Sequence, residues 1–122
     1  MFEYQAKIDR VVVLLLLLIL CNTAHSKSEK EYQTEWCTDG FIEYRLDDNT
    51  RIDCLTKDYA IEHDFARKYH EAIGQSLHYA LKTGKRPGIV LIMKSQSDIK
   101  YWDRMQQIIL KYNLPIQTWQ MW

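Results

Sequence analysis

Apolar and polar positions change their spacing several times along this chain, and each change marks an element. Val11 to Leu20 is one unbroken apolar run that follows Lys7 and Arg10. Glu29 to Trp36 predicts a short helix without a strong cap. From Phe41 to Leu46 apolar and charged residues alternate, the period of a half-buried strand. Asp47-Asp48-Asn49-Thr50 is a turn cluster, and Arg51 to Leu55 returns as a second strand, so 41–55 predicts a β-hairpin. Tyr59 to Phe65 predicts a third strand.

After Arg67 the period becomes helical. Tyr69, Ala72, Ile73, Leu77, Ala80 and Leu81 fall on one face, and Gly84 provides a stop. Gly88 to Met93 is a continuous apolar run, as expected of a strand buried on both faces. Ser95 or Ser97 is placed to cap a helix over Asp98 to Tyr112, with Tyr101, Trp102, Met105, Ile108, Ile109 and Tyr112 turned inward. Pro115 to Met121 alternates again and predicts an edge strand. Strands and helices interleaved in this order predict an α/β domain, a mixed central sheet flanked by helices.

The first apolar run sets the compartment. It is about half the roughly 20 residues that a membrane-spanning helix requires. A charged start, an apolar segment of this length and the small residues of Ala24-His25-Ser26 describe a signal peptide over 1–26, cleaved before Lys27. The expectation is therefore an exported chain, periplasmic or secreted, with one small domain over 27–122. Leu18-Ile19-Leu20-Cys21 admits a second reading, a lipoprotein anchored through Cys21. Two further cysteines, Cys37 and Cys54, suit a disulfide in an oxidising compartment, the alternative being two buried free thiols. They lack the partners of a zinc cage.

Charge narrows the partners. Acids and bases balance at 16 each, and residues 1–26 remove two of either sign. A dedicated nucleic-acid binder usually carries a basic excess. The test that follows is local: a basic patch focused near carboxylates favours a nuclease, scattered charge an interaction module. Asp53 lies on the second strand, while Glu62 and Asp64 are two apart on the third and share a face. Pairing of these strands would bring three carboxylates together, the hard oxygen set that suits Mg²⁺ or Mn²⁺. Lys68, Glu71, Gln75 and Tyr79 form one stripe on the next helix, beside the apolar face.

The order helix, three strands, helix, strand, with Arg51-Ile52-Asp53 and Ala60-Ile61-Glu62-His63-Asp64, resembles the PD-(D/E)XK nuclease superfamily. Gln75-Ser76-Leu77-His78-Tyr79 resembles the Gln-x-x-x-Tyr motif of its RecB-like and lambda-exonuclease-like branch. The resemblance covers about residues 31–94. It implies a restriction-endonuclease-like α-βββ-α-β core, extended here by a helix and a strand. It also implies metal ligation by Asp53 and Glu62, with Glu35 or Glu31 adding an acid from the first helix. Gln75 and Tyr79 would position nucleic acid. Asp64 stands where that superfamily has lysine, so the catalytic set would be Asp53, Glu62, Asp64 and, from the helix, Lys68. The expected activity is divalent-metal-dependent phosphodiester hydrolysis, or a degenerate relative of it. The alternative is a non-catalytic exported module that binds a protein partner.

Each motif also has an ordinary structural role open to it. Asp53 would pair with Arg45 or Arg51, Glu62 and Asp64 would be solvated on an edge strand, and Gln75 and Tyr79 would be a plain helix face. The histidines read as surface or partly buried, and Trp102, Trp119 and Trp122 as packing residues.

Overall fold

In a computed structural model that describes residues 2–20 and 25–122, the chain has four helices and five strands. Helix α1 spans Phe2–Leu20, and its apolar residues from Val11 to Leu16 are solvent-exposed. Among the described residues no helix is long and apolar enough to cross a membrane. Cys21 and Ala24, on which lipidation and the cleavage motif depend, lie outside the described residues.

Helix α2 (Glu29–Trp36) is capped, contrary to expectation. The Glu31 N–H donates to Ser28 Oγ, and the Ser28 N–H donates to the Glu31 carboxylate. This reciprocal pair satisfies two of the donors that a helix start leaves free. Strands β1 (Phe41–Arg45), β2 (Arg51–Leu55) and β3 (Tyr59–Phe65) form an antiparallel meander. Helix α3 (Tyr69–Thr83) then crosses to β4 (Arg86–Ile92), and α4 (Ile99–Lys111) crosses to β5 (Gln117–Met121). The strand order is β1-β2-β3-β4-β5, with the last three parallel. The α/β mixed sheet flanked by helices is thus as expected, with β3 in its middle rather than at an edge.

Two apolar layers cover the sheet. Ile89, Leu91 and Met93 pack with Tyr69, Ala72, Met105 and Ile109 from α3 and α4. On the opposite face Val90 and Ile61 pack with Trp36, Trp119 and Cys37–Cys54, which are joined as a disulfide. Gly40 lies against this bond so closely that a Cβ there would stand 2.9 Å from Cys54 Sγ and 2.7 Å from the Leu55 carbonyl oxygen.

Several expectations need correction in detail. Leu81 is exposed, and Ser76 and Tyr79 are buried in its stead, so the buried stripe of α3 is rotated from the one the apolar spacing suggests. Tyr112 is exposed and ends α4 at its C-cap. Neither Ser95 nor Ser97 caps α4; their hydroxyls bond to each other across the start of a 3₁₀ turn at Gln96–Asp98. His63 is fully buried, edge-on to Trp36 with ring centroids 5.3 Å apart, and Trp122 is half-exposed.

Candidate functional site

The site begins with an interruption in the sheet. β2 and β3 pair through Cys54↔Ile61 and Leu55↔Ala60, and the ladder stops there. At the next step the His63 N–H donates to Asp53 Oδ2 at 2.8 Å, a side-chain carboxylate taking the place of a backbone acceptor. The Asp53 carbonyl is taken in turn by Gln33 Nε2 of α2, at 2.6 Å. Glu43, which faces Asp53 across the hairpin register, sits at φ 52°, in the left-handed region that costs a non-glycine residue about 1 kcal/mol or more. On either side of Asp53, Ile52 packs with Tyr79 and Cys54 packs with Ile61. The hairpin is wedged away from β3, and an open cleft of about 340 Å³ fills the gap.

Six acids line the cleft, Glu29, Glu43, Asp53, Glu62, Asp64 and Glu71, against two cations, Arg51 and Lys68. Gln75 and Tyr79 of α3 form its far wall. The structure therefore gathers Asp53, Glu62, Asp64, Lys68, Gln75 and Tyr79 in one place. It does not bring Glu35 there: that residue points outward from α2 and pairs with Lys27. Glu31 is occupied by the helix cap. The acid that α2 does contribute is Glu29, whose carboxylate lies 3.9 Å from Lys68 Nζ. Glu29, Gln33 and Trp36 recur at helical spacing and define the face of α2 turned to the sheet, a signal present in the sequence. Asp53 bonds to backbone and not to Arg45 or Arg51; Arg51 pairs with Glu43.

Burial dominates the electrostatics. Glu62 and Asp64 are almost fully buried on the central strand, and desolvation raises both carboxyls well above the usual range. Asp53 and Asp64 raise Glu62 further, as does Glu29. Burial also raises Asp53, opposed by its hydrogen bond from the His63 backbone. The Tyr79 hydroxyl is raised by burial and by the Glu62 charge behind it. His63, on the other face of β3, is lowered to about 4 by burial alone and is neutral at pH 7. Lys68 Nζ stands 3.6 Å from Asp64 Oδ1, an ion-pair distance too long for a hydrogen bond.

Among the described residues, Glu62 Oε2 and Asp64 Oδ1 are buried with no hydrogen-bond partner. Buried polar atoms are normally satisfied, and an orphaned carboxylate oxygen facing a cleft is a place for a ligand. Among the same residues no group of three or more His, Cys, Asp or Glu side chains converges as a ready-made metal cage. Mg²⁺ needs only one or two protein carboxylates and otherwise keeps its waters, so the donors present fit that chemistry. The chain matches no protein family, no curated protein and no solved structure in comparisons with all three.

Proposed function

We propose that this is an exported hydrolase of phosphodiester bonds that depends on a divalent cation and works in the cleft between β2, β3 and α3. The observation that carries the reading is the cluster of buried carboxylates on the cleft wall, Glu62 and Asp64 beside Asp53, with Glu62 Oε2 buried and without a hydrogen bond. The arrangement supports the likeness to PD-(D/E)XK nucleases, with a restriction-endonuclease-like core, as the architectural reading. Export is supported by the Cys37–Cys54 disulfide and by an apolar α1 that leaves Val11 to Leu16 in solvent.

Asp53 and Glu62 would hold Mg²⁺ or Mn²⁺, which when bound supplies a Lewis acid and a water of lowered pKa. The remaining work falls to the chain. Lys68 offers a positive charge where negative charge develops on a phosphate, and Asp64 holds that ammonium in the cleft. Burial raises the Asp64 carboxyl to about 7, so its ionised form, the one that pairs with Lys68, would be a base suited to taking a proton from an attacking water. Gln75 and Tyr79 supply donors for the sugar-phosphate on the opposite wall. With six acids around it, the cleft repels a phosphate unless cationic charge enters with it.

Calorimetric titration of Mn²⁺ into the oxidised protein tests this, with Asp53→Asn and Glu62→Gln alongside, followed by hydrolysis assays on single-stranded and duplex nucleic acid. Binding lost in both variants, with hydrolysis lost in parallel, is the expected result. No Mn²⁺ binding by the wild type, with or without oligonucleotide, refutes it and leaves the non-catalytic interaction module. Asp64 at the position where the resembling superfamily has lysine is the observation that favours that second reading.

A further inference from the structure

We infer that a single-stranded nucleic acid enters the cleft along a basic ledge formed by the 3₁₀ turn Ala66–Lys68 and the outer face of α4. The inference rests on the phosphodiester reading of the cleft and assigns the track that its substrate follows.

The chain is neutral overall, and among the domain's described cations without an ion pair, Arg45, Lys57, Lys85 and Arg86 lie elsewhere while five gather on one surface. Lys30, Arg51, Lys68 and Lys82 are each within 4.0 Å of a carboxylate, and Lys27 is paired with Glu35. Arg67, Lys94, Lys100, Arg104 and Lys111 are all exposed, and among the described residues none of them forms an ion pair. These five lie together. Arg67, Lys94 and Tyr101 line one depression of about 260 Å³ beyond the ends of β3 and β4. Lys100 and Arg104 lie 5.0 and 5.7 Å from the Tyr101 ring centroid, and Arg104 and Lys111 share the next depression with Tyr69 and the exposed Tyr112. Asp98 and Asp103 are the acids of this surface, and Asp98 is engaged by the Lys94 backbone N–H at 2.8 Å.

The ledge adjoins the end of β3: Lys68 lines the cleft and Arg67, beside it in the 3₁₀ turn, lines the ledge, while Phe65 turns to the opposite face of β3, against Tyr32 of α2. A chain leaving the carboxylates would round this turn to reach the cations. Clustered, exposed cations repel one another, and they neutralise phosphates by counterion release. Aromatic rings set among them suit unstacked bases, which favours a single strand over a sulfated polysaccharide or an anionic membrane. From Lys100 to Lys111 the helix runs about 16 Å at 1.5 Å per residue.

Anisotropy of a fluorescein-labelled oligo-thymidylate, titrated in EDTA over a range of salt, reads this surface without hydrolysis. Five engaged cations give a log–log salt slope near −3.5, about −0.7 for each phosphate neutralised. The Lys100→Gln/Arg104→Gln pair should lower the magnitude of the slope by about 1.4, and Arg67→Gln/Lys94→Gln by the same amount. Lys57→Gln, in the β2–β3 turn at the other end of the sheet, should change nothing, and all variants should melt with the wild type. Failure of the wild type to bind, an unaltered slope in both pairs, or tighter binding of heparin or phosphatidylserine vesicles than of the oligonucleotide would overturn the ledge. Glu62→Gln separates the two readings. If it hydrolyses nucleic acid as the wild type does, the cleft reading fails while the ledge measurement stands; if it binds but does not hydrolyse, both survive.

Discussion

Replacing Glu62 with glutamine should stabilise the apo protein at pH 8, against the usual direction for a buried polar substitution. In the unfolded chain Glu62 ionises near the ordinary glutamate value of 4.5, whereas burial beside Asp53 and Asp64 keeps the folded carboxyl protonated to far higher pH. The folded state thus holds a proton that the unfolded state has released. Stability is therefore full below pH 4.5 and is lost as pH rises above it. Holding a proton against each tenfold fall in its concentration costs about 1.4 kcal/mol, so the penalty accumulated between pH 4.5 and 8 has a ceiling of about 5 kcal/mol. Relaxation of the cleft and sharing of the burden with Asp53 and Asp64 bring the expected gain to about 2–4 kcal/mol. For a domain of this size that is a rise of roughly 10–20 °C in Tm. The assay is thermal unfolding by circular dichroism of oxidised protein in EDTA, at pH 8 and pH 4. The gain should vanish at pH 4, where both states hold the proton. A Tm at pH 8 equal to or below wild type, or an equal gain at both pH values, refutes the reasoning.

His63 sets an opposite slope: its folded value of about 4 lies below the unfolded 6.5, so stability present above 6.5 is lost as pH falls toward 4, by about 3 kcal/mol. His63→Leu should flatten that limb in the same melts. Reduction of Cys37–Cys54, which closes a loop over a separation of 17 residues, should cost about 3 kcal/mol, read from denaturant midpoints with and without dithiol. Gly40→Ala must displace the Leu55 carbonyl or the disulfide and should lose about 1–3 kcal/mol in the oxidised protein. Gln33→Leu leaves the Asp53 carbonyl without its donor and should cost about 1–3 kcal/mol, with weaker Mn²⁺ binding by calorimetry.

The fold was largely legible because its elements carry distinct periods. The alternation at 41–46, the unbroken run at 88–93 and the helical spacing from Arg67 each name one element. What spacing could not give was phase. Leu81 is apolar yet exposed, and Tyr79 is polar-tipped yet buried, packed with Ile52, Leu55 and Ala60 of β2 and β3. The site divides in the same way. Asp53, Glu62, Asp64, Lys68, Gln75 and Tyr79 line one cleft, since strand parity and a helical stripe are local rules. Glu35 falls outside because choosing among Glu29, Glu31 and Glu35 requires knowing which side of α2 meets the sheet, and Gln33 decides that through a bond to a residue 20 positions away. His63 departs from the expected surface position for a related reason: its burial comes from Trp36 and from the centrality of β3, and neither is a property of its neighbours in sequence.

The two halves of the sheet also differ in how soon they can assemble. α2, the hairpin and the disulfide connect residues close in sequence, so the contacts that place Gln33 on Asp53 need nothing beyond Phe65. The parallel half must wait for two helical crossovers, and such non-local pairing forms slowly. A chain emerging from its amino end can therefore oxidise Cys37 and Cys54 and set the wedge before β4 arrives. The carboxylates of β3 would then be water-exposed at first and become buried only as α3 and β4 close over them.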